Sequence, residues 1–291
     1  MEYNDQILHR VQQLELSILD DFMRVCKENN LPWWAFAGSG IGALRHQGFI
    51  PWDDDIDVGL LRKDYDRIGQ IFKEQFPDKY IVVNADEFPS YPLPSTRITL
   101  KDSLFVEESL KKVKDCPFGI FLDVYAFDNV APDPAKAKKQ ILKAWFYGKM
   151  MILASVPFPV IPIYGIKKKI VHAGTAVVWA VMRLFRVSPG RLFRKLKKAA
   201  TRYNDQPASA YVFPNDLDPF CNVYEAEDLF PLRTLPFEGR EVCFARNLEK
   251  HLTRFYGDYM QLPPVEKRKN HFPNKLKFPG EDKIYSGDSA D

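Results

Sequence analysis

The sequence predicts an α/β fold: a mixed sheet flanked by helices (α+β in its strand directions), with a basic, apolar helical insert. Three observations predict it. Up to Tyr125, short apolar runs of strand type alternate with helical patterns. One of those strands, Asp55 to Leu61, sets two carboxylates on one face and aliphatic residues on the other. Between Asp133 and Asp205 there is no acidic residue, while 16 Lys or Arg occur in a stretch that is apolar and aromatic between its basic clusters.

Taken in order, residues 5–29 read as a helix with Ile7, Val11, Leu14 and Ile18 on one stripe. Trp33 to Ala37 reads as a short strand, followed by a short helix at 39–47, a strand at 55–61 and a helix at 63–76. Strand-like runs recur at Tyr80–Val83, Arg97–Leu100 and Phe118–Tyr125. Further on, Glu241–Phe244 reads as a strand and Leu248, Leu252, Phe255 and Tyr259 as one face of a helix that Pro263-Pro264 stops. Gly280 to Asp291 reads as disordered. The predicted organisation is a core over 1–132, the insert over 133–205, a segment returning to the core over 206–279 and a tail over 280–291. With 291 residues, 46% hydrophobic and 27% charged, the chain can bury one sizeable core plus an appendage.

The chemistry concentrates in Phe49-Ile50-Pro51-Trp52-Asp53-Asp54-Asp55-Ile56-Asp57-Val58-Gly59-Leu60. On a strand, Asp55 and Asp57 share a face about 6–7 Å apart, while Ile56, Val58 and Leu60 point into the core. Like charges this close repel unless a cation lies between them, and an oxygen-only donor set suits a hard ion such as Mg²⁺. A solvated acidic turn would explain Pro51 to Asp54, but not the alternation after it. Asp54 has the opposite parity and reads as a turn residue; Asp53 reads as a further ligand or a residue behind the ligands. Upstream, the strand at Trp33 leads into Gly38-Ser39-Gly40 and a short helix, where small residues let an anion approach backbone N–H groups and Ser39 can cap or bind it. A third carboxylate is Asp123, the one charge in the apolar run Phe118 to Tyr125 and costly there unless paired or metal-bound. The competing role for Asp123 is a strand-end turn with Asp128 and Asn129.

A small-residue turn followed by Asp-x-Asp on the next strand resembles the plan of the nucleotidyltransferase superfamily. More closely, Gly38-Ser39 together with Gly42-Ala43-Leu44-Arg45-His46-Gln47-Gly48-Phe49-Ile50-Pro51-Trp52-Asp53-Asp54-Asp55-Ile56-Asp57 resembles the signature of the LicD family, whose distant relatives include fukutin-related protein. The likeness continues at Tyr91–Pro94 with Arg97, at Phe118–Asp128, and at Tyr256–Pro264 with His271. The resemblance implies a nucleotidyltransferase-like catalytic core that moves a phospho-alcohol, most often phosphocholine, from a CDP-activated donor to a sugar hydroxyl of a lipid-linked or polymer glycan, such as a teichoic acid or lipopolysaccharide precursor, with release of CMP. It further implies Asp55, Asp57 and Asp123 as catalytic carboxylates, and Asp53, Asp55, Asp57 and Asp123 as ligands of Mg²⁺ or Mn²⁺. Gly38, Ser39, Arg45, His46 and Arg97 would hold the diphosphate of CDP-choline or another CDP-alcohol. Three positions depart from the family's habit: Gly40 where a large aliphatic residue is usual, Arg97 for Lys, and Ser103 for Thr. A choline group would need an aromatic cage, for which Trp33, Trp34, Trp52 and Tyr125 are the candidates. Two alternatives stand beside this reading: a true nucleotidyltransferase that leaves the nucleotide on its product, and a membrane-bound scaffold without activity.

The cysteines, Cys26, Cys116, Cys221 and Cys243, are far apart and form no Cys-x-x-Cys pair, against a disulfide framework or a structural zinc. The start lacks the cationic and apolar runs of a signal peptide, so a reducing, cytosolic setting is expected. Subtracting the 16 insert charges from the overall +3 leaves −13 on the rest of the chain. Met150–Ile166 and Ile170–Met182 are apolar but too short to span a bilayer, and Pro157, Pro159 and Pro162 break the first. Residues 134–204 therefore predict contact with an anionic membrane surface, placing the protein peripherally on the inner face. A helical subdomain packed on the core is the alternative; nucleic acid is disfavoured because it has no use for so much aliphatic surface.

Overall fold

The computed structural model describes residues 4–159, 165–264, 268 and 273–286. Helix α1 (Asp5–Glu28) is capped by Asn4, whose side chain accepts from the Gln6 N–H, and its apolar stripe lies on the sheet. Next come β1 (Trp33–Ala35), α2 (Ala37–His46), β2 (Asp57–Leu61), α3 (Arg62–Gln75), β3 (Tyr80–Val83), β4 (Thr96–Leu100), β5 (Leu104–Val106) and the nine-residue β6 (Phe121–Asn129). The insert holds α4 (Pro134–Ser155), α5 (Gly165–Leu184) and α6 (Pro189–Ala200). The chain then returns through β7 (Ala210–Val212), β8 (Val223–Glu225), α7 (Ala226–Leu229), β9 (Arg233–Phe237), β10 (Arg240–Phe244), α8 (Leu248–Tyr256), β11 (Lys275–Lys277) and β12 (Ile284–Ser286).

The main sheet is mixed, in the order β3-β4-β6-β2-β1-β10-β9, with β7 and β8 added at the far end of β6. The pairs β2–β6 and β1–β10 run parallel and the other pairs antiparallel. A mixed α/β architecture is thus what the alternating pattern encodes. The register sets Asp57 beside Asp123 on β6, and Asp123 beside Arg97 on β4. In-register neighbours point to the same face, and adjacent strands lie about 4.8 Å apart. Three charged side chains from distant parts of the sequence therefore form one row.

Gly59 shows why the sheet needs a glycine within β2. A Cβ there would stand 2.7 Å from the Phe127 ring and 2.9 Å from Trp34, so two aromatic rings fill its place. Trp34, Phe36, Phe127, Phe213 and Tyr224 form an aromatic cluster on that side, while α1 and α3 cover the other with a larger core of mixed aliphatic and aromatic side chains.

The insert leaves and re-enters the core at one point. Asn129 pairs with Tyr211, and the Val130 N–H donates to the Ala210 carbonyl (2.9 Å). Gln140 donates to the Asn129 and Ala200 carbonyls (2.8 and 2.7 Å), and Asn204 donates to Asp128 (2.8 Å), which Arg62 also grips with two 2.9 Å bonds. Each of α4 and α6 starts with a cap and a proline, Asp133-Pro134 and Ser188-Pro189. These two helices pack on each other and on the core: Ala144, Met151, Phe193 and Leu196 share a buried cluster with Val83, Tyr91 and Phe118. Helix α5 differs, with Met182 its only buried residue.

Several expectations need correction. The last helix ends at Tyr256, not at the prolines, because Gly257 takes φ +68°, a left-handed backbone that breaks the helix. The tail expected to be disordered from Gly280 contains β12, which pairs with β11 in a small second sheet with β5. Residues 287–291, and His271, lie outside the described residues. The strands β5, β7, β8, β9 and β11 were not legible, being short or polar.

Candidate active site

The site lies where β2, β6 and β4 run side by side. Asp123 is buried, and its carboxylate accepts from Ser95 Oγ (3.1 Å) and from the Arg97 guanidinium (3.2–3.4 Å). Arg97 also pairs with Glu107 at 2.5 Å, and its guanidinium lies 3.7 Å over the Phe121 ring. Burial by itself would lower the Arg97 pKa. Asp123 and then Glu107 outweigh it and hold the guanidinium well above its ordinary value. Asp123 sits above the usual carboxylate range: burial raises it and Arg97 opposes. Since β6 continues six residues beyond Asp123, this residue is no strand-end turn.

Asp57 opens β2, its N–H donating to Ser39 Oγ at 3.1 Å. The Asp57 Oδ1 atom is buried and has no hydrogen-bond partner. Its carboxyl is pushed well above the normal range, first by burial and then by Asp55, Asp123 and Asp53. Asp55 precedes the strand and lines a cavity of about 330 Å³ together with Asp54, Asp123, Arg97 and Glu107. Asp54, expected to be a turn residue, is fully buried and follows a turn at Pro51-Trp52 that the Asp53 N–H closes on the Ile50 carbonyl (2.8 Å). Asp53 is half-buried; the Gln12 side chain donates to its carbonyl (2.8 Å), tying the acidic segment to α1.

The donor set is all carboxylate oxygen, mutually repelling and partly unpartnered at Asp57, which is the chemistry a hard dication satisfies. As the side chains stand, no group of three or more His, Cys, Asp or Glu among the described residues closes around an ion. The Asp123 carboxylate is engaged by Arg97 and Ser95.

The residues expected to bind diphosphate fall into two places. Gly38 and Ser39 lie inside the first turn of α2, not in a turn before it. That helix end carries no side-chain cap, so its dipole and N–H groups favour an anion. A Cβ on Gly38 would stand 2.8 Å from Asp53 Oδ2, so the glycine makes room for that carboxylate. The chain enters α2 through Ala37 at φ +50°, a conformation costly for alanine and held by the surrounding fold. Gly40 faces α8, where a Cβ would lie 3.0 Å from Leu248 Cδ1; it serves packing and not a phosphate turn. Arg45 and His46 sit at the opposite end of α2, about 10 Å away along the axis. Arg45 donates to His46 Nε2 and to the Tyr259 carbonyl, both at 2.9 Å, and neither residue lines the cavity. Both have lowered pKa values, first from burial and then from Arg268 for Arg45 and from Arg45 for His46. The structure does not bring these two to Asp57 and Asp123.

Of the four aromatic candidates, Trp33 and Trp34 are core residues and Trp52 stacks under Arg268, 4.5 Å from its guanidinium carbon. Tyr125 alone lines the cavity, with Phe213 edge-on at 4.8 Å. The insert contributes Lys149 and Ile152 from α4, and the return segment contributes Asp216. Burial pushes the Lys149 ammonium down, with Asp216 opposing.

Sequence reasoning missed Glu15. It is fully buried in α1, and neither carboxylate oxygen has a hydrogen-bond partner. Burial, then Asp55, Asp54, Asp53 and Asp123, raises its pKa well above normal. A signal existed: Glu15 lies four residues after Val11 and four before Leu19, on the apolar stripe of α1. For Glu107, Ser95 and Lys149 no such signal exists, because only tertiary packing brings them to the site.

Residues 30–127 match the family model described as LicD/FKTN/FKRP, nucleotidyltransferase domain. Over 269 residues the chain is 28% identical to the lipopolysaccharide cholinephosphotransferase LicD of Haemophilus influenzae, a match covering 90% of this chain and 95% of that protein. Uncharacterized proteins of Rickettsia prowazekii and Rickettsia typhi are each 37% identical over 57 residues, 20% of this chain.

Proposed function

The chain carries a domain of the LicD family, and on that premise we propose that it is a phosphocholine transferase. The donor is CDP-choline or a related CDP-alcohol, the acceptor is a sugar hydroxyl of a membrane-linked glycan, and CMP leaves. The observation that carries this reading is the row of Asp57, Asp123 and Arg97 in strand register, beside a cavity that Asp55 also lines. The near full-length likeness to a lipopolysaccharide cholinephosphotransferase supports the same reaction class.

The acceptor hydroxyl attacks phosphorus, a new P–O bond forms, and the bond to the CMP oxygen breaks on the opposite side. A carboxylate of Asp55, Asp57 or Asp123 takes the hydroxyl proton. Asp53, Asp55, Asp57 and Asp123 are the residues that would hold Mg²⁺ or Mn²⁺, which when bound supplies neutralisation of the diphosphate and of the leaving charge. The uncapped N-terminus of α2 favours the donor's negative charge. Ser39 acts by fixing the start of β2 through the Asp57 N–H. Tyr125 and Phe213 offer ring surface to a quaternary ammonium, whereas the Phe121 face is already taken by Arg97. The four cysteines are free, which fits a cytosolic enzyme working at the inner membrane face.

The test is CMP release from CDP-choline, CDP-ribitol and CDP-glycerol with a membrane glycolipid fraction, beside Asp55→Asn and Asp123→Asn variants. Acceptor-dependent CMP from one donor, lost in both variants, is the expected result. Diphosphate released from CTP, with no CMP from any CDP-alcohol, would establish a nucleotidyltransferase instead.

A further inference from the structure

Helix α5 rests on α4 along one side and leaves most of its apolar surface open. Of its 20 residues only Met182 is buried, and Ile166, Ile170, Val177, Val181 and Leu184 are 47–77% exposed. Among the described residues, 11 of the 17 large hydrophobic side chains that are exposed fall between Leu142 and Phe185. Exposed apolar surface concentrated in this way marks a contact surface. Lys167, Lys168 and Lys169 flank the apolar part of α5 at one end, and Arg183 and Arg186 at the other.

Next to α5 in sequence, α4 and α6 enclose a groove of about 510 Å³ lined by Lys136, Lys139, Lys143, Lys195, Lys198 and Arg202, with Tyr147 and Tyr203. None of these six cations is ion-paired among the described residues. Lys197 shows the contrast: on the same helix but turned to the core, it pairs with Asp66 (3.2 Å) and Asp86 (3.7 Å). Six cations around one groove repel one another, and phosphate oxygens relieve that repulsion.

We propose that the insert is a docking surface for an anionic membrane leaflet, with α5 lying in the interface and lipid headgroup phosphates seated in the α4–α6 groove. A leaflet supplies both an apolar layer and negative charge. A nucleic acid would meet only the cations, and a second copy of this chain would bring the same positive charge against them. Helix α5 lies in the interface and does not cross: among the described residues no single helix is long and apolar enough to span. The bent pair of α5 and α6 is no span either, because the apolar face of α6 (Leu192, Phe193, Leu196) is already buried against the core. This surface deepens the proposed function by bringing the cavity to a lipid-linked acceptor, and it does not depend on the chemistry of the donor.

The experiment is flotation of the full chain with vesicles of phosphatidylcholine alone or mixed with phosphatidylglycerol, with no donor or acceptor present. Transfer activity therefore cannot enter the readout. The chain is expected to float with the anionic vesicles and to be released by salt. A Lys139→Gln, Lys143→Gln, Lys198→Gln variant is expected to partition on the order of 100-fold more weakly, at about fivefold per cation. An Ile166→Ser, Ile170→Ser, Val177→Ser variant loses roughly tenfold for each side chain withdrawn from the interface. All six positions are exposed, so both variants should melt with the wild type. Equal recovery with neutral and anionic vesicles, or wild-type flotation of either variant, would overturn the proposal. So would tighter binding to an RNA oligonucleotide than to vesicles, or self-association in solution that the serine variant abolishes.

Discussion

Asp57→Asn should make the metal-free protein more stable while removing its activity. The wild-type carboxyl has a buried Oδ1 without a partner and feels Asp55, Asp123 and Asp53. Leaving a buried polar group unsatisfied costs about 1–3 kcal/mol, and more when the group is charged. The amide keeps the shape and the buried oxygen but removes the charge and its repulsion, so the part of the cost that belongs to the charge is recovered, about 1–3 kcal/mol at neutral pH. At roughly 2–4 °C per kcal/mol that is a melting temperature raised by about 2–12 °C. Because burial raises the native pKa of this carboxyl, its penalty is absent below the unfolded value of about 3.9 and grows as pH rises toward the native one. The advantage of the variant should therefore shrink on acidification. Thermal melts in chelator across pH, repeated with Mg²⁺, test this. Added Mg²⁺ should stabilise the wild type and act much more weakly on the variant. A variant that melts below the wild type at pH 7 in chelator, or an advantage that widens toward pH 4, would refute the reasoning.

Three further outcomes are expected. Glu15→Leu should raise the melting temperature through removal of a buried, unpartnered carboxyl, by about 1–3 kcal/mol; denaturant unfolding measures it, and a loss of stability would count against the assignment. Gly42→Ala places a Cβ 2.3 Å from the Gly48 carbonyl oxygen, which is backbone and cannot simply rotate away. A loss of about 1–3 kcal/mol is expected, together with weaker donor binding as the Gly48–Asp57 segment shifts. His251 is buried against Tyr224 at 3.9 Å, and burial, then Arg254, pushes its pKa down to about 3. The unfolded chain binds that proton near 6.5, so the contribution is full above that pH and is lost as pH falls toward 3, reaching about 4–5 kcal/mol. His251→Phe should flatten this part of the stability profile in pH-dependent melts.

Much of the site was legible because it is written in strand periodicity. Asp57 with Val58 and Leu60 has a period of two, and Asp123 is a lone charge in an apolar run, so both could be placed on strands before their pairing was known. Register was not legible, since parallel pairing between β2 and β6 depends on the sheet and not on either segment. Arg97 was identified, yet not its bond to Asp123, for the same reason. Arg45 and His46 were grouped with Gly38 and Ser39 on the family resemblance alone, and the ten-residue helix α2 sets the two pairs at opposite ends. In the insert, composition gave the charge and the greasiness. It could not divide the helices into α4 and α6, which pack broadly on the core, and α5, which buries only Met182 there.

The pairing of Asn129 with Tyr211 has a consequence for how this chain can change. The insert departs and returns at neighbouring rungs of one ladder, behind a clamp of Asp128, Gln140 and Asn204. The helices α4 and α6 are held by their packing on the core, but what lies between them, α5 included, can lengthen or shorten at a cost that grows only slowly with length. The carboxylate row is held by sheet register, which moves only in whole-residue steps that would turn each side chain to the other face. The proposed site is therefore fixed in discrete increments, while α5 and its connections are free to drift.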